Sequence, residues 1–158
     1  MPLFNFLTMP IKEVTQNNFS KAISLLKQNN LPTEDISEVT KLFSIVDVDK
    51  VIATIGVEFY KNICLLRSFA VNREYRSKGI GKQLVNFIED FAKQKRMQEI
   101  VLLTTTASDY FAKRNYQIIH REDIPDEIKN SSEFRSTCPS SAIVMKKVLQ
   151  PPAKSTGS

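Results

Sequence analysis

The 158-residue sequence holds a single histidine, His120, and only two cysteines, Cys64 and Cys138. One histidine excludes a multi-histidine metal centre. Two cysteines without metal-ligand spacing imply reduced thiols, so no metal site and a cytoplasmic location are expected. No apolar run approaches the ~20 residues needed to cross a bilayer. The opening Met1, Pro2, Leu3, Phe4, Asn5, Phe6 and Leu7 lack a basic n-region and an Ala-x-Ala cleavage site, so no signal peptide is expected. Also absent are an internal repeat and any linker dividing the chain. The length then favours one domain over 1–150, with 151–158 as a flexible tail. The net charge of +5 suits an anionic ligand or nucleic acid. Because the basic residues are interleaved with acids, nucleic acid is not an expected partner.

What is present centres on residues 65–84. Their first third is apolar and β-prone, and after Gly81 the apolar residues Leu84, Val85, Phe87, Ile88 and Phe91 follow helical spacing. A basic, glycine-containing loop therefore joins a strand to a helix N-terminus. That arrangement binds phosphates, because the first helical turn has unpaired N–H groups and glycines admit an oxyanion close to the backbone. Arg76, Lys78 and Lys82 add formal charge there. The spacing matches neither the P-loop, with four residues between its glycines, nor the three-glycine dinucleotide loop.

Around this stretch the pattern predicts an α/β chain. Residues 1–10 are expected to be loose, with a first strand near Ile11 and Val14. A helix capped by Asn17 or Asn18 should carry Phe19, Ala22, Ile23, Leu25 and Leu26 and end near Asn30, with a short second helix capped by Thr33. Strands at 41–47, 51–59 and 63–71, joined by short turns, predict an antiparallel meander. A helix over 81–96 should cross over to a buried strand at 99–104, parallel to 63–71. A short helix ending at Asn115 as its C′ residue and a strand at 116–120 follow. Residues 121–141 read as a long polar loop with a short helix beginning at Asp123 and Phe134 as an isolated apolar anchor. A last strand runs from Ala142 towards Leu149.

The order of strand, Asn72-Arg73-Glu74-Tyr75-Arg76, Gly79-x-Gly81 and helix resembles the pyrophosphate loop of the GCN5-related N-acetyltransferases (GNAT). The resemblance covers about residues 11–149. A narrower one, to the arsenic-resistance-associated N-acetyltransferases, rests on Gly56-Val57-Glu58, residues 65–71, Leu103-Thr104-Thr105-Thr106-Ala107, Ile124-Pro125-x-x-Ile128 and Glu133-Phe134-x-x-x-Cys138-Pro139-x-Ser141-Ala142. The same Leu-Thr-Thr block is also similar to the acetyltransferase domain of N-acetylglutamate synthases.

The resemblance implies a mixed, mostly antiparallel central sheet flanked by helices and splayed between strands 63–71 and 99–104, with acetyl-coenzyme A in the gap. It implies that Phe69, Ala70 and Val71 line the pantetheine arm. The backbone N–H of Phe69, or one beside it, would polarise the acetyl carbonyl. Arg76, Ser77, Lys78, Gly79, Ile80, Gly81 and Lys82 would cradle the pyrophosphate, and Thr104, Thr105 and Phe111 would meet the cofactor arm. Many members place a tyrosine acid four residues before the glycine of the last helix. Here Phe111 stands four before Asn115, and Tyr110 is one place off, so no tyrosine acid is assigned.

An ammonium acceptor must lose a proton before it attacks. Glu58 is the candidate base, or else a salt-bridged strand residue. Arg67 interrupts an apolar strand; it would bind a substrate carboxylate or phosphonate, or pair with Glu58. Cys138 and His120 are weighed as catalytic groups and set aside as packing or surface residues, and Arg121, Arg135, Ser140 and Ser141 are loop residues open to acceptor selection. The expected activity is acetyl transfer to the amine of a small amino-acid-like acceptor, by direct attack in a ternary complex. The alternatives are a protein-amine acetyltransferase and a non-catalytic acetyl-coenzyme A-binding sensor. A homodimer is compatible with the fold, and no membrane partner is expected.

Overall fold

A computed structural model of the chain describes residues 9–131, 134 and 142–149. Its contacts divide the chain into two compact units, Met1–Glu58 with Leu66–Ile88, and Phe59–Leu65 with Glu89–Ser158. Among the described residues seven strands form one open sheet, in the order β1 (Lys12–Glu13), β2 (Lys41–Asp47), β3 (Lys50–Tyr60), β4 (Ile63–Val71), β5 (Glu99–Thr104), β7 (Ile143–Val148) and β6 (Gln117–Ile119). The expected α/β class and open sheet flanked by helices therefore hold. The expected tail at 151–158 lies outside the described residues.

In the first unit, β1 (Lys12–Glu13) pairs antiparallel with β2 (Lys41–Asp47), and β2 pairs antiparallel with β3 (Lys50–Tyr60). Between β1 and β2 lies α1 (Gln16–Gln28), which buries Ala22, Leu25 and Leu26 against Leu42, Val51 and Ala70. Phe43, the next residue along β2, packs its ring edge-on against Phe87 at 4.9 Å. This alternation along β2 is the period-two pattern that a strand covered on both faces requires.

Three local expectations need correction. Helix α1 begins after Thr15, not after Asn17 or Asn18, and no side chain caps it. The Val14 N–H still bonds the Leu42 carbonyl at 2.7 Å, so the chain leaves the sheet directly into the helix and both asparagines fall in its first turn. At the other end the Asn29 amide donates to the Leu25 carbonyl, and Asn30 takes the left-handed φ of 59° that stops a helix. The second helix at Thr33 does not form; residues 31–40 hold only turns, with Ile36 N–H on Thr33 O and Thr40 N–H on Ser37 O. Side-chain bonds to the sheet, described below, fix this loop instead. Finally, Met9 is buried, and its carbonyl accepts from Gln83 Nε2 at 2.8 Å, so the chain is anchored from there onward.

The turn between β2 and β3 has both central residues at positive φ, Val48 at 46° and Asp49 at 66°, as a tight hairpin of right-handed strands requires. A β-branched residue is poorly suited to that conformation, and Val48 is 90% exposed, so packing does not repay the strain. Val48→Asn should therefore stabilise the chain by about 1 kcal/mol, read as a higher urea midpoint with unchanged slope.

The second unit holds β5 (Glu99–Thr104), β7 (Ile143–Val148) and β6 (Gln117–Ile119), with β7 antiparallel to both neighbours. The first residues of β4 (Ile63–Val71) also belong here. Ile63, Leu65, Val101 and Val144 make a core with Ile124 and Ile128, and Phe134 packs on it, as the expected apolar anchor does. The short helix expected to start at Asp123-Ile124-Pro125 is α4 (Asp126–Lys129), with Pro125 just outside its first residue and a 3-10 turn over Arg121–Asp123 before it. Helix α3 (Ser108–Ala112) ends as expected, with Asn115 at φ 72° and the Tyr116 N–H reaching back to Phe111 O.

Cys64 lies wholly buried in this unit, its thiol facing the Glu99 carbonyl at 3.7 Å. Burial pushes the thiol up to about 12. A raised value in the folded state gives stability that is complete below the unfolded value near 9 and declines as pH rises towards 12. Between these limits the loss is about 1.4 kcal/mol per pH unit. Denaturant titrations across the window between these two limits should show that slope, and Cys64→Ala should flatten it.

Candidate functional site

The loop that closes β4 is built by local bonds. The Asn72 N–H donates to Ile52 O at 2.7 Å, and the Asn72 side chain accepts from Glu74 N, setting a 3-10 turn over Arg73–Tyr75. The Tyr75 hydroxyl then donates to Asp47 at 2.8 Å. Arg76 is extended, and its guanidinium is aimed by two bonds, Nε to Val71 O and Nη2 to Asn29 Oδ1 at 2.6 Å. Ser77 and Gly79 both take left-handed conformations, φ 65° and 83°. Such turns bring successive N–H groups to one concave side, which is an anion-binding shape.

Helix α2 (Ile80–Gln94) starts at once: Gly79 O accepts the first helical bond, from Gln83 N. The N–H groups of Ile80, Gly81 and Lys82 therefore have no carbonyl within the helix to bond. The first turn contains no acidic residue to compete with an anion. Arg76, Ser77, Lys78, Gly79 and Lys82 are exposed, whereas the Ile80 side chain is buried and contributes only its backbone.

Just upstream, β4 is kinked: Ser68 has φ 55° inside the strand, and its carbonyl accepts from Thr54 Oγ1 at 2.9 Å. A left-handed residue inside a strand breaks its regular pleat and re-aims the residues after it. Those residues are Phe69, Ala70 and Val71. Beside the kink lies a buried ionic cluster. Arg67 forks onto Asp35 with two 2.7 Å bonds, Nη1 to Oδ2 and Nη2 to Oδ1, and Nη1 also reaches Glu58 Oε2 at 3.0 Å. Its Nε points at Ser68 Oγ, 3.3 Å away. Glu58 is fully buried and accepts from the Thr40 hydroxyl at 2.5 Å. Of the two arrangements open to Arg67 from sequence, the ion pair with Glu58 is present, and Asp35 is a partner that sequence reasoning missed.

In the second unit, Thr104 Oγ1 accepts from the N–H groups of Thr106 and Ala107, so its side chain fixes the start of α3. Thr105 is exposed. Phe111 is buried between the rings of Tyr110 and Tyr116, each 5.2 Å away. Arg114 lies over the Tyr110 ring at 3.6 Å, and burial pushes the Tyr110 phenol up, which makes it a weaker acid. His120 is exposed at the start of a 3-10 turn, and Arg121 bonds the Ala142 carbonyl. Arg135, Cys138, Ser140 and Ser141 lie outside the described residues. Among the described residues no group of three or more His, Cys, Asp or Glu could hold a metal ion, and no helix is long and apolar enough to cross a membrane.

Against known proteins, residues 14–119 match the family model described as Acetyltransferase (GNAT) family. An uncharacterized N-acetyltransferase of Chlorobaculum tepidum is 30% identical over 120 residues, which is 75% of this chain and 74% of that protein. The amino-acid acetyltransferase of Mannheimia succiniciproducens is 28% identical over 96 residues, 59% of this chain but only 22% of that one. Among solved structures, Tetrahymena GCN5 superposes with a TM-score of 0.72 at 20% identity, covering 92% of this chain and 99% of that chain. The N-acetylglutamate synthase of Neisseria gonorrhoeae, complexed with coenzyme A and L-arginine, gives 0.73 at 13% identity, with 89% and 33% covered. The chain thus spans about a third of the synthase.

Proposed function

Because the chain belongs to the acetyltransferase (GNAT) family, we propose that it moves the acetyl group of acetyl-coenzyme A to the amine of a small, amino-acid-like acceptor. The observation that carries the cosubstrate is the loop itself. Left-handed Ser77 and Gly79 feed the open N-terminus of a 15-residue helix, with Arg76, Lys78 and Lys82 around it. Backbone N–H groups of residues 77–82 would hold the pyrophosphate, and the cations would neutralise it. The kinked stretch Phe69, Ala70 and Val71 would pair with the pantetheine arm as an added strand does, with the Phe69 N–H on the acetyl oxygen. Thr104, Thr105 and Phe111 are proposed as further cofactor contacts, on the resemblance described above.

An acceptor that has given its ammonium proton to water attacks the thioester carbonyl in a ternary complex; the C–N bond forms as the C–S bond breaks, coenzyme A leaves as thiolate, and the proton released from the new amide nitrogen passes to that thiolate or to water. A thiol of pKa about 8.5 departs near neutral pH without a strong acid. That suits a chain with Phe111 at the family's tyrosine position. Glu58 has two roles open to it, base or ion-pair partner; its burial and its bonds to Arg67 and Thr40 support the second. Two observations support the amino-acid-like acceptor: the Mannheimia relative is named an amino-acid acetyltransferase, and a structural neighbour is an N-acetylglutamate synthase. The narrower tie to arsenic-resistance-associated enzymes rests on the residue blocks quoted above, as does a homodimer on the fold. The test is coenzyme A release, with product masses, from acetyl-coenzyme A and a panel of amino acids and lysine peptides. Turnover of an amino acid supports the proposal, and a peptide preference shifts the acceptor to protein amines. Tight binding without any turnover favours a sensor, and no binding at all sinks the cofactor assignment.

A further inference from the structure

We infer that Asp35, a residue of the 31–40 loop, is a positioning residue for the polarisation of the acetyl carbonyl; the inference rests on the function proposed above. The chain of contacts is short and buried. Asp35 takes the whole end of the Arg67 guanidinium in two 2.7 Å bonds, and Glu58 takes a third at 3.0 Å. A guanidinium gripped on a carboxylate in this forked manner is fixed in plane as well as in place. Its remaining edge, Nε, is thereby set against Ser68 Oγ. Ser68 holds a left-handed conformation that a non-glycine residue adopts only at a cost, and the Thr54 hydroxyl pins its carbonyl from the other side. The peptide that follows is the Phe69 N–H. An oxyanion donor works only when its direction is fixed before the reaction, and small misplacements are costly.

Asp35 touches neither cofactor nor acceptor in this account. It acts through Arg67 and Ser68, so Arg67 spends its fork within the chain and is not the receptor for an acceptor carboxylate.

The test uses acetyl-coenzyme A labelled with carbon-13 at the thioester carbonyl, bound to the full chain, and reads that carbonyl's infrared stretch. In the wild type the stretch should fall below its value in solution, as a hydrogen-bonded carbonyl does. Asp35→Asn should lose more than half of that fall while the Kd for acetyl-coenzyme A changes less than threefold. Arg67→Lys, which keeps the charge but loses the fork, should behave alike, and Asp35→Glu should restore part of the shift. A merely structural role for Asp35 would move the melting temperature and leave the stretch of the bound carbonyl unchanged. An unaltered stretch in folded Asp35→Asn and Arg67→Lys overturns the inference and leaves the proposed function standing. A wild type that binds with no fall in the stretch removes the Phe69 contact, and the inference with it. A wild type that does not bind acetyl-coenzyme A overturns the proposed function itself.

Discussion

Arg67→Met should lower stability by about 3–5 kcal/mol, the range for removing one partner of a buried ion pair. The reason is a charge count. Arg67, Asp35 and Glu58 have side chains between 0% and 5% exposed, and the Arg67 guanidinium is shared by both carboxylates. Without the guanidinium, both carboxylates stay in a low-dielectric setting, facing each other across the space it filled. Asp35→Asn keeps Arg67 beside Glu58, so it should lose less, about 1.5–3 kcal/mol for a bond to a charged group. Replacing all three by Leu or Met should regain at least half of the Arg67→Met loss, since no buried charge then lacks a partner. Urea titrations of the four proteins decide it. If the triple variant is less stable than Arg67→Met alone, the energy lies in packing and not in charge.

The same cluster marks where sequence reasoning stopped. Arg67 in an apolar strand announced that it needed a partner, and Glu58 lay nine residues away on the preceding strand, within reach of a register argument. Asp35 lies 32 residues away, in Thr33-Glu34-Asp35, which reads as a cap and first helical turn. The helix lost there because the Asp35 and Thr40 side chains bond to the sheet instead, a tertiary contact that no local propensity encodes. The loop after β4 was legible for the opposite reason. Glycines at 79 and 81, basic residues around them and an apolar helical stripe after them are all local signals. The kink at Ser68 was not legible, because serine carries no marker for positive φ as glycine does.

Gly79 and Gly81 look equivalent in the sequence, yet the structure gives them different work, and substitution should separate them. Gly79 sits at φ 83°, whereas Gly81 lies inside the first turn of α2. Alanine at 79 must adopt a left-handed conformation, which costs roughly 1–2 kcal/mol, or else unwind the turn. Alanine at 81 meets an ordinary helical backbone and should add up to about 1 kcal/mol of stability. For acetyl-coenzyme A the two should agree in sign. Either side chain stands where a pyrophosphate would approach the N–H groups of residues 80–82, so bulky replacements such as Gly79→Val and Gly81→Val should raise the Kd by about a hundredfold or more, equivalent to about 2.7 kcal/mol. Calorimetric titration and thermal melting on the same samples give both readouts. Gly81→Ala is the informative variant, expected to melt higher and bind more weakly than the wild type. Binding that is unchanged in folded Gly79→Val and Gly81→Val would move the pyrophosphate away from this loop, and with it the assignment of Arg76, Lys78 and Lys82.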